Sequence, residues 1–135
     1  MHVKAEGGGR PLAFVVTEGQ RHDSPVFEEL MEKGKLKRPG AGRPRLRPGR
    51  LTADRSYSNH RIRGWLASRK VRALIPQGRH EKRKRHFDGE LYKERNRVER
   101  LVARLKQFRR IATRYEKTAE SYLAMLTLAA SLLWL

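Results

Sequence analysis

The chain has no cysteine, which excludes disulfides and thiolate metal sites. Its five histidines (His2, His22, His60, His80, His86) fall at no zinc-binding spacing. It has no phosphate-loop lysine motif and no dinucleotide glycine fingerprint, which removes the common nucleotide-binding signatures. Long apolar runs are also missing. A membrane span needs about 20 apolar residues, and the one apolar stretch, Tyr122 to Leu135, is shorter and is expected to be a buried core helix. Met1 to Arg10 carries Gly7-Gly8-Gly9 where a secretory leader would carry an apolar core. A cytoplasmic chain is therefore expected.

Acids are scarce and bases are not. Thirty-two Lys and Arg against fourteen Asp and Glu give a net charge of +18 over 135 residues. Solubility needs only a modest charge. A surplus this large is the electrostatic footprint of a nucleic-acid partner, and places the chain with the nucleoid. Charge alone leaves two classes open: an enzyme acting on nucleic acid, or a basic protein that coats it. The length suits a single domain.

The expected elements alternate in type. His2 to Glu6 reads as a strand, Gly7-Gly8-Gly9 as a turn, and Leu12 to Thr17 as the returning strand. Ser24 as N-cap and Pro25 at the first helical position predict a helix to about Lys33. Residues 33–50 hold eight basic residues, no acid, three prolines and four glycines, and are expected to form a basic flexible loop. Within it, Gly42-Arg43-Pro44-Arg45 suits contact with phosphates or a minor groove. Arg50 to Asp54 predicts a strand ending in a carboxylate. A helix over 59–69 and a strand over 71–75 complete a βαβ unit with parallel strands. Residues 78–87, with Lys82-Arg83-Lys84-Arg85, predict a second basic flexible loop. Two helices follow, from Asp88 as N-cap to about Arg109 and from Thr118 to about Trp134.

The second-last helix carries the chemistry. At roughly 100° per residue, Tyr92, Arg95, Glu99 and Lys106 share one narrow stripe. Leu91, Val98, Leu101, Leu105 and Phe108 form the neighbouring apolar stripe that should face the core. A carboxylate between cations suits a phosphate and its metal ion. Phosphodiester cleavage commonly uses divalent metals held by carboxylates, and hard ions such as Mg²⁺ take oxygen ligands. The candidate acids are Asp54 at a strand end, Glu99 on the helix edge and Glu6 before the glycine turn. Each has a plainer reading: a strand-end cap for Asp54, an ion pair with Arg95 for Glu99, a surface residue for Glu6. Asp23 is expected to cap. Ser56 and Tyr57 could be nucleophiles, but no partner base is evident in the sequence.

Several stretches resemble a known family, the bacterial insertion-sequence transposases of the DDE type, in the group with a Y-x2-R-x3-E-x6-K pattern. Tyr92-x2-Arg95-x3-Glu99-x6-Lys106 matches that pattern at all four positions. Gly9 to Phe14, Gly19 to Ser24, Ala53 to Ser58 and Leu105 to Lys117 are also similar to it. The resemblance covers nearly the whole chain. It implies an α/β, ribonuclease-H-like mixed sheet flanked by helices, incomplete at its N-terminus, with residues 1–135 forming the C-terminal part of the catalytic domain. It implies Mg²⁺- or Mn²⁺-dependent hydrolysis at transposon ends followed by strand transfer into target DNA. Asp54 and Glu99 would be the second and third catalytic acids and metal ligands. Arg95 and Lys106 would hold phosphates, and Tyr92 would position DNA. Arg43, Arg45, Lys82, Arg83, Lys84 and Arg85 would add DNA contacts. The strand that carries the family's first acid is expected to lie upstream of the hairpin, which leaves Glu6 as the nearest stand-in. The implied partners are DNA and either a second copy or an upstream-frame product. A DNA-binding remnant, or a regulator of transposition without activity, is the alternative.

Overall fold

A computed structural model of the chain describes residues 1–18, 23–36, 40–42, 48–81 and 86–135. Strand β1 (His2–Ala5) pairs antiparallel with β2 (Pro11–Val15), with Val3 opposite Phe14. The turn between them needs Gly9, whose φ of 85° lies in the left-handed region. Helix α1 (Asp23–Lys33) follows. Then come β3 (Arg50–Thr52), a 3₁₀ turn (Arg55–Tyr57), α2 (His60–Ser68) and β4 (Arg72–Leu74). The last third holds α3 (Gly89–Tyr92), a 3₁₀ turn (Lys93–Arg95), α4 (Asn96–Lys106), α5 (Arg109–Ala112) and α6 (Ala119–Trp134).

The α/β class and the parallel βαβ unit are as expected: β3 pairs parallel with β4, Leu51 opposite Ala73. Among the described residues no single continuous mixed sheet is formed. The described residues make two separate two-stranded sheets, β1–β2 and β3–β4. A side-chain contact links them instead of a ladder: Tyr57 Oη, in the 3₁₀ turn after β3, lies 2.6 Å from His2 Nδ1 of β1. Lys4 Nζ of β1 donates to the Gly34 carbonyl, just past α1, at 2.8 Å.

Strand β2 explains the packing. Its run Leu12-Ala13-Phe14-Val15 alternates faces, and both faces are covered. Ala13 and Val15 pack on Val26 and Leu30 of α1. Phe14 faces the other way, into a cluster with Leu101 and Leu105 of α4, Ile111 of α5 and Tyr122 and Leu126 of α6. A third cluster places Phe27 and Met31 of α1 against Ile62 and Leu66 of α2 and Val71 and Ile75 around β4. Burying a side chain such as Leu105 or Leu126 contributes about 1.5–3 kcal/mol, and both are fully buried.

Caps set several boundaries. Asn59 accepts from the Ile62 N–H at 2.9 Å and starts α2, Asp88 accepts from the Leu91 N–H at 3.1 Å, and Thr118 accepts from the Ser121 N–H at 3.1 Å. Ser24 does not cap α1. The helix begins one residue earlier, and the Ser24 hydroxyl accepts from Asn59 Nδ2 at 2.7 Å, tying α1 to α2. The side chain of Asp23 lies outside the described residues. Helix α6 is buried on one face only: Tyr122, Leu126, Ala129 and Ala130 are inside, while Leu128, Leu132 and Trp134 are exposed. No helix among the described residues is long and apolar enough to cross a membrane.

Candidate active site

Asp54 sits two residues beyond the end of β3, in extended backbone (φ −65°, ψ 160°) just before the 3₁₀ turn. The strand stops at Thr52, sooner than its sequence pattern suggests. The Asp54 carbonyl accepts from the Tyr57 N–H at 3.0 Å and closes the turn, but its carboxylate makes no capping bond. The carboxylate is left to point elsewhere.

It points at Arg95. Arg95 NH1 lies 2.6 Å from Asp54 Oδ1, and Arg95 NH2 lies 2.5 Å from Glu99 Oε1. One planar guanidinium therefore holds both acids, one on each arm of its fork. The two carboxylates, 45 positions apart in sequence, are separated by no more than a guanidinium and its two contacts. The plain ion-pair reading of Glu99 is correct, and the same contact brings in Asp54. Both acids are 55% exposed and Arg95 is 24% exposed, so the pair opens to solvent.

The predicted single helix from Asp88 to Arg109 is broken by the Lys93–Arg95 3₁₀ turn and by an extended Phe108. The first break helps the site. In a 3₁₀ turn residues i and i+3 eclipse, so Tyr92 and Arg95 align better than they would on an α-helix, and the guanidinium sits 5.5 Å from the Tyr92 ring centroid. Partial burial pushes the Tyr92 hydroxyl above its ordinary pKa; Asp54 and Glu99 push it further up, against the lowering pull of Arg95 and Arg55. The phenol thus stays protonated at neutral pH and can donate. Phe87 braces the ring edge-on, 5.1 Å between centroids. Ion pairs fix this helix to the βαβ unit: Arg50 NH2 donates to Glu94 Oε2 at 2.7 Å, and Arg72 NH2 lies 3.9 Å from Asp88 Oδ2. Lys106 is exposed in the last turn of α4. It lies on the Glu99 stripe, roughly 10 Å further along the axis.

Glu6 does not join them. It caps the hairpin turn, accepting from the Arg10 N–H at 3.1 Å and Arg10 Nε at 3.3 Å. Backbone hydrogen bonding from Gly8 and Arg10, with the Arg10 charge, holds its carboxyl below the usual glutamate value against the opposing effect of burial. Arg97 donates to the Gly7 carbonyl of the same turn, and Gly9 packs on the Arg97 backbone. Arg97 is two residues before Glu99, about 200° around the helix. The hairpin turn therefore lies behind α4, away from the acids. Among the described residues no cluster of three or more His, Asp or Glu could hold a metal ion. Arg43, Arg45, Lys82, Arg83, Lys84 and Arg85 lie outside the described residues.

Three features escaped the sequence. Arg55, next to Asp54, belongs to the charge field of the site; only its adjacency to Asp54 could have marked it. His2 supplies the polar neighbour for Tyr57 that no spacing revealed. Glu81, inside the expected flexible loop, is anchored. It accepts from Arg63 Nε at 2.7 Å and from the Ser58 hydroxyl at 2.9 Å, with Arg63 and Glu81 each only 13% exposed. Burial raises its carboxyl, but Arg63, Ser58 and the Gly78 N–H together bring it below the ordinary value.

Residues 1–134 match the family described as the transposase DDE domain. The chain is 30% identical over 138 residues to a candidate transposase for insertion sequence element IS6501 of Brucella ovis, covering all of this chain and 96% of that protein. It is 33% identical over 132 residues to a candidate transposase for insertion sequence element IS402 of Burkholderia cepacia, covering 98% of this chain and 60% of that protein. No solved structure gives a significant match.

Proposed function

The chain belongs to the DDE-domain transposases of insertion sequences, and we propose that it carries part of the catalytic centre that cleaves and joins DNA at the ends of such an element. The observation that carries this reading is the meeting of Asp54 and Glu99 on one guanidinium. A cation already stands between the two acids. Their oxygen donors fit a hard divalent ion such as Mg²⁺ or Mn²⁺. When bound, that ion would supply activation of a water or 3′-hydroxyl and stabilisation of the leaving oxygen.

The chain's own residues take the other roles. Asp54 and Glu99 would hold the ion. Arg95, released from the acids, turns its fork to a phosphate. Lys106 meets the backbone about three phosphates away, given that each strand carries one per roughly 3.4 Å of axis. The protonated Tyr92 hydroxyl donates to a phosphate oxygen or to the bound strand. The surplus of cations supplies most of the affinity, so binding weakens steeply with salt and shows little base preference. A ribonuclease-H-like sheet is proposed for the assembled catalytic unit.

The test is nicking of supercoiled plasmid with Mg²⁺ or Mn²⁺. Activity should vanish in Asp54→Ala and in Glu99→Ala while DNA binding persists. Persistent nicking in either variant rejects the reading.

A second reading has its own observation. Among the described residues Asp54 and Glu99 converge without a third acid, and Glu6 lies behind α4. On this reading the chain alone binds DNA without cutting it, and acts as a regulator or awaits a partner, either a second copy or an upstream-frame product, that brings a third acid. Nicking by the purified chain alone would rule it out. Nicking that appears only on mixing with the upstream-frame product would favour completion by a partner.

A further inference from the structure

The segment from Phe108 to Lys117 lies outside the acid site. Between Arg100 and Lys117 the chain carries seven cations and one acid, Glu116. Extended Phe108 breaks the chain away from α4, and buried Ile111 then anchors α5 to the core. With Ile111 inward, Arg109, Arg110 and Thr113 face solvent. Two residues past the end of α5 stands Arg114, whose φ of 47° is left-handed. For a residue with a side chain that conformation costs roughly 1 kcal/mol. It reverses the chain: the Tyr115 N–H donates to the Arg110 carbonyl at 3.1 Å, and the Arg110 guanidinium sits 5.0 Å from the Tyr115 ring centroid. Arg114 secures the turn from the other side, 5.2 Å from the Tyr122 ring.

The result is an open depression of about 460 Å³ lined by Arg109, Arg110, Thr113 and Tyr115, with walls that are mostly carbon. Tyr115 is 69% exposed. Among the described residues its hydroxyl makes no hydrogen bond, so nothing in the packing accounts for a large aromatic ring held out here. Arg110 is committed to Glu116, with NH2 2.9 Å from Oε1 but off the hydrogen-bonding line. That ion pair fixes Arg110 as a wall beside the ring. Arg109 has no ion pair among the described residues, so its guanidinium is open to an anion.

We infer that this depression takes an unpaired nucleotide of DNA, with Tyr115 stacking on the base and Arg109 meeting the adjacent phosphate. An exposed ring beside cations, with no array of donors and acceptors to read base edges, is the arrangement of single-strand binding. A duplex keeps its base faces stacked inside and offers this ring nothing. The inference rests on the proposal that the chain acts on DNA. It adds a place for the frayed or cleaved strand, one that nicking at the acid site does not require.

The experiment compares a fluorescent blunt 20-base-pair duplex with the same duplex carrying a 3′ overhang of six nucleotides, by anisotropy at fixed salt. A 2-aminopurine in the overhang reports stacking. The wild-type chain should bind the overhang duplex more tightly and quench the 2-aminopurine. Tyr115→Ala should lose the overhang preference by about tenfold and abolish the quenching, with blunt-duplex affinity and thermal unfolding unchanged. Tyr115→Phe should retain both. Arg109→Gln should lower the salt slope for the overhang duplex by about one. No binding to the blunt duplex would sink the DNA reading itself. Binding to the blunt duplex with no gain from the overhang would overturn only this site. So would equal loss on both duplexes in Tyr115→Ala, or tighter binding of an RNA overhang than of DNA.

Discussion

Two arginines each hold carboxylates, and the two neighbourhoods behave in opposite ways. Arg63 is largely enclosed in the βαβ unit and spends its donors on Glu81, the Ser58 hydroxyl and the Ile75 carbonyl. Ser58, itself buried, also meets Glu81 and the Gly78 N–H. Every partner there is satisfied from within. Arg95 sits at the surface and holds two like-charged acids that would repel without it. The buried network closes a loop onto a helix. The exposed one keeps two acids together in a form that another cation can enter. A satisfied buried pair is costly to break, while a solvated pair rearranges at little cost.

The contrast can be broken from either side. The largest effect is expected at the exposed acids. Asp54→Ala or Glu99→Ala should lower metal-dependent nicking by about 10³-fold. Neither should change thermal stability by more than about 0.5 kcal/mol, as expected of surface positions. A cooperative loss of structure in either variant would mean that the site is structural. Next comes the buried pair. Glu81→Ala leaves the enclosed Arg63 without a counter-charge, and should cost about 3 kcal/mol, measured by urea unfolding. In the fraction that remains folded, DNA affinity should be unaltered.

Acid separates the two regions by a different route. Against the raising effect of burial, Arg63, Ser58 and the Gly78 N–H hold the Glu81 carboxyl below the ordinary glutamate value of 4.5 in the folded chain. Its contribution to stability is therefore fully present above the unfolded value and is lost as pH falls through the folded value. A urea midpoint that falls below pH 4.5 in the wild-type chain, with a weaker fall in Glu81→Gln, would bear this out. Equal slopes in both would show that other carboxylates dominate.

The smallest expected effect is at Arg95. An exposed ion pair is worth up to about 1 kcal/mol, so removing the competing guanidinium in Arg95→Ala should tighten Mn²⁺ binding by about fivefold. Electron paramagnetic resonance of free Mn²⁺ reads this without reference to activity. The same variant should nick more slowly for want of its phosphate contact. Unchanged Mn²⁺ affinity would show that the guanidinium and the ion do not compete for the acids.

Much of the local structure was legible. The βαβ unit followed from two short apolar runs around an amphipathic segment, Asp88 was legible as a cap, and helix starts near Asn59 and Thr118 fell within a residue of where they lie. Failures arose where a distant partner decided the outcome. Ser24 has the right chemistry for a cap, but Asn59 takes its hydroxyl. Loop composition around Glu81 reads as solvated, yet Arg63, eighteen residues earlier, draws the acid inward. The stripe from Tyr92 to Lys106 was visible by period, whereas the 3₁₀ turn that sharpens it carries no signal in Lys93-Glu94-Arg95.

Sequence by itself determined the charge, the Asp88 cap, the apolar period of α4 and the spacing of Tyr92, Arg95, Glu99 and Lys106, because each depends on neighbours within a few positions. Tertiary structure alone decided that Asp54 meets Glu99 and that Glu6 is turned away behind α4. Those outcomes depend on how β2, α1 and α4 pack around shared clusters. Packing between segments remote along the chain is set by the joint fit of many side chains, which no local pattern encodes.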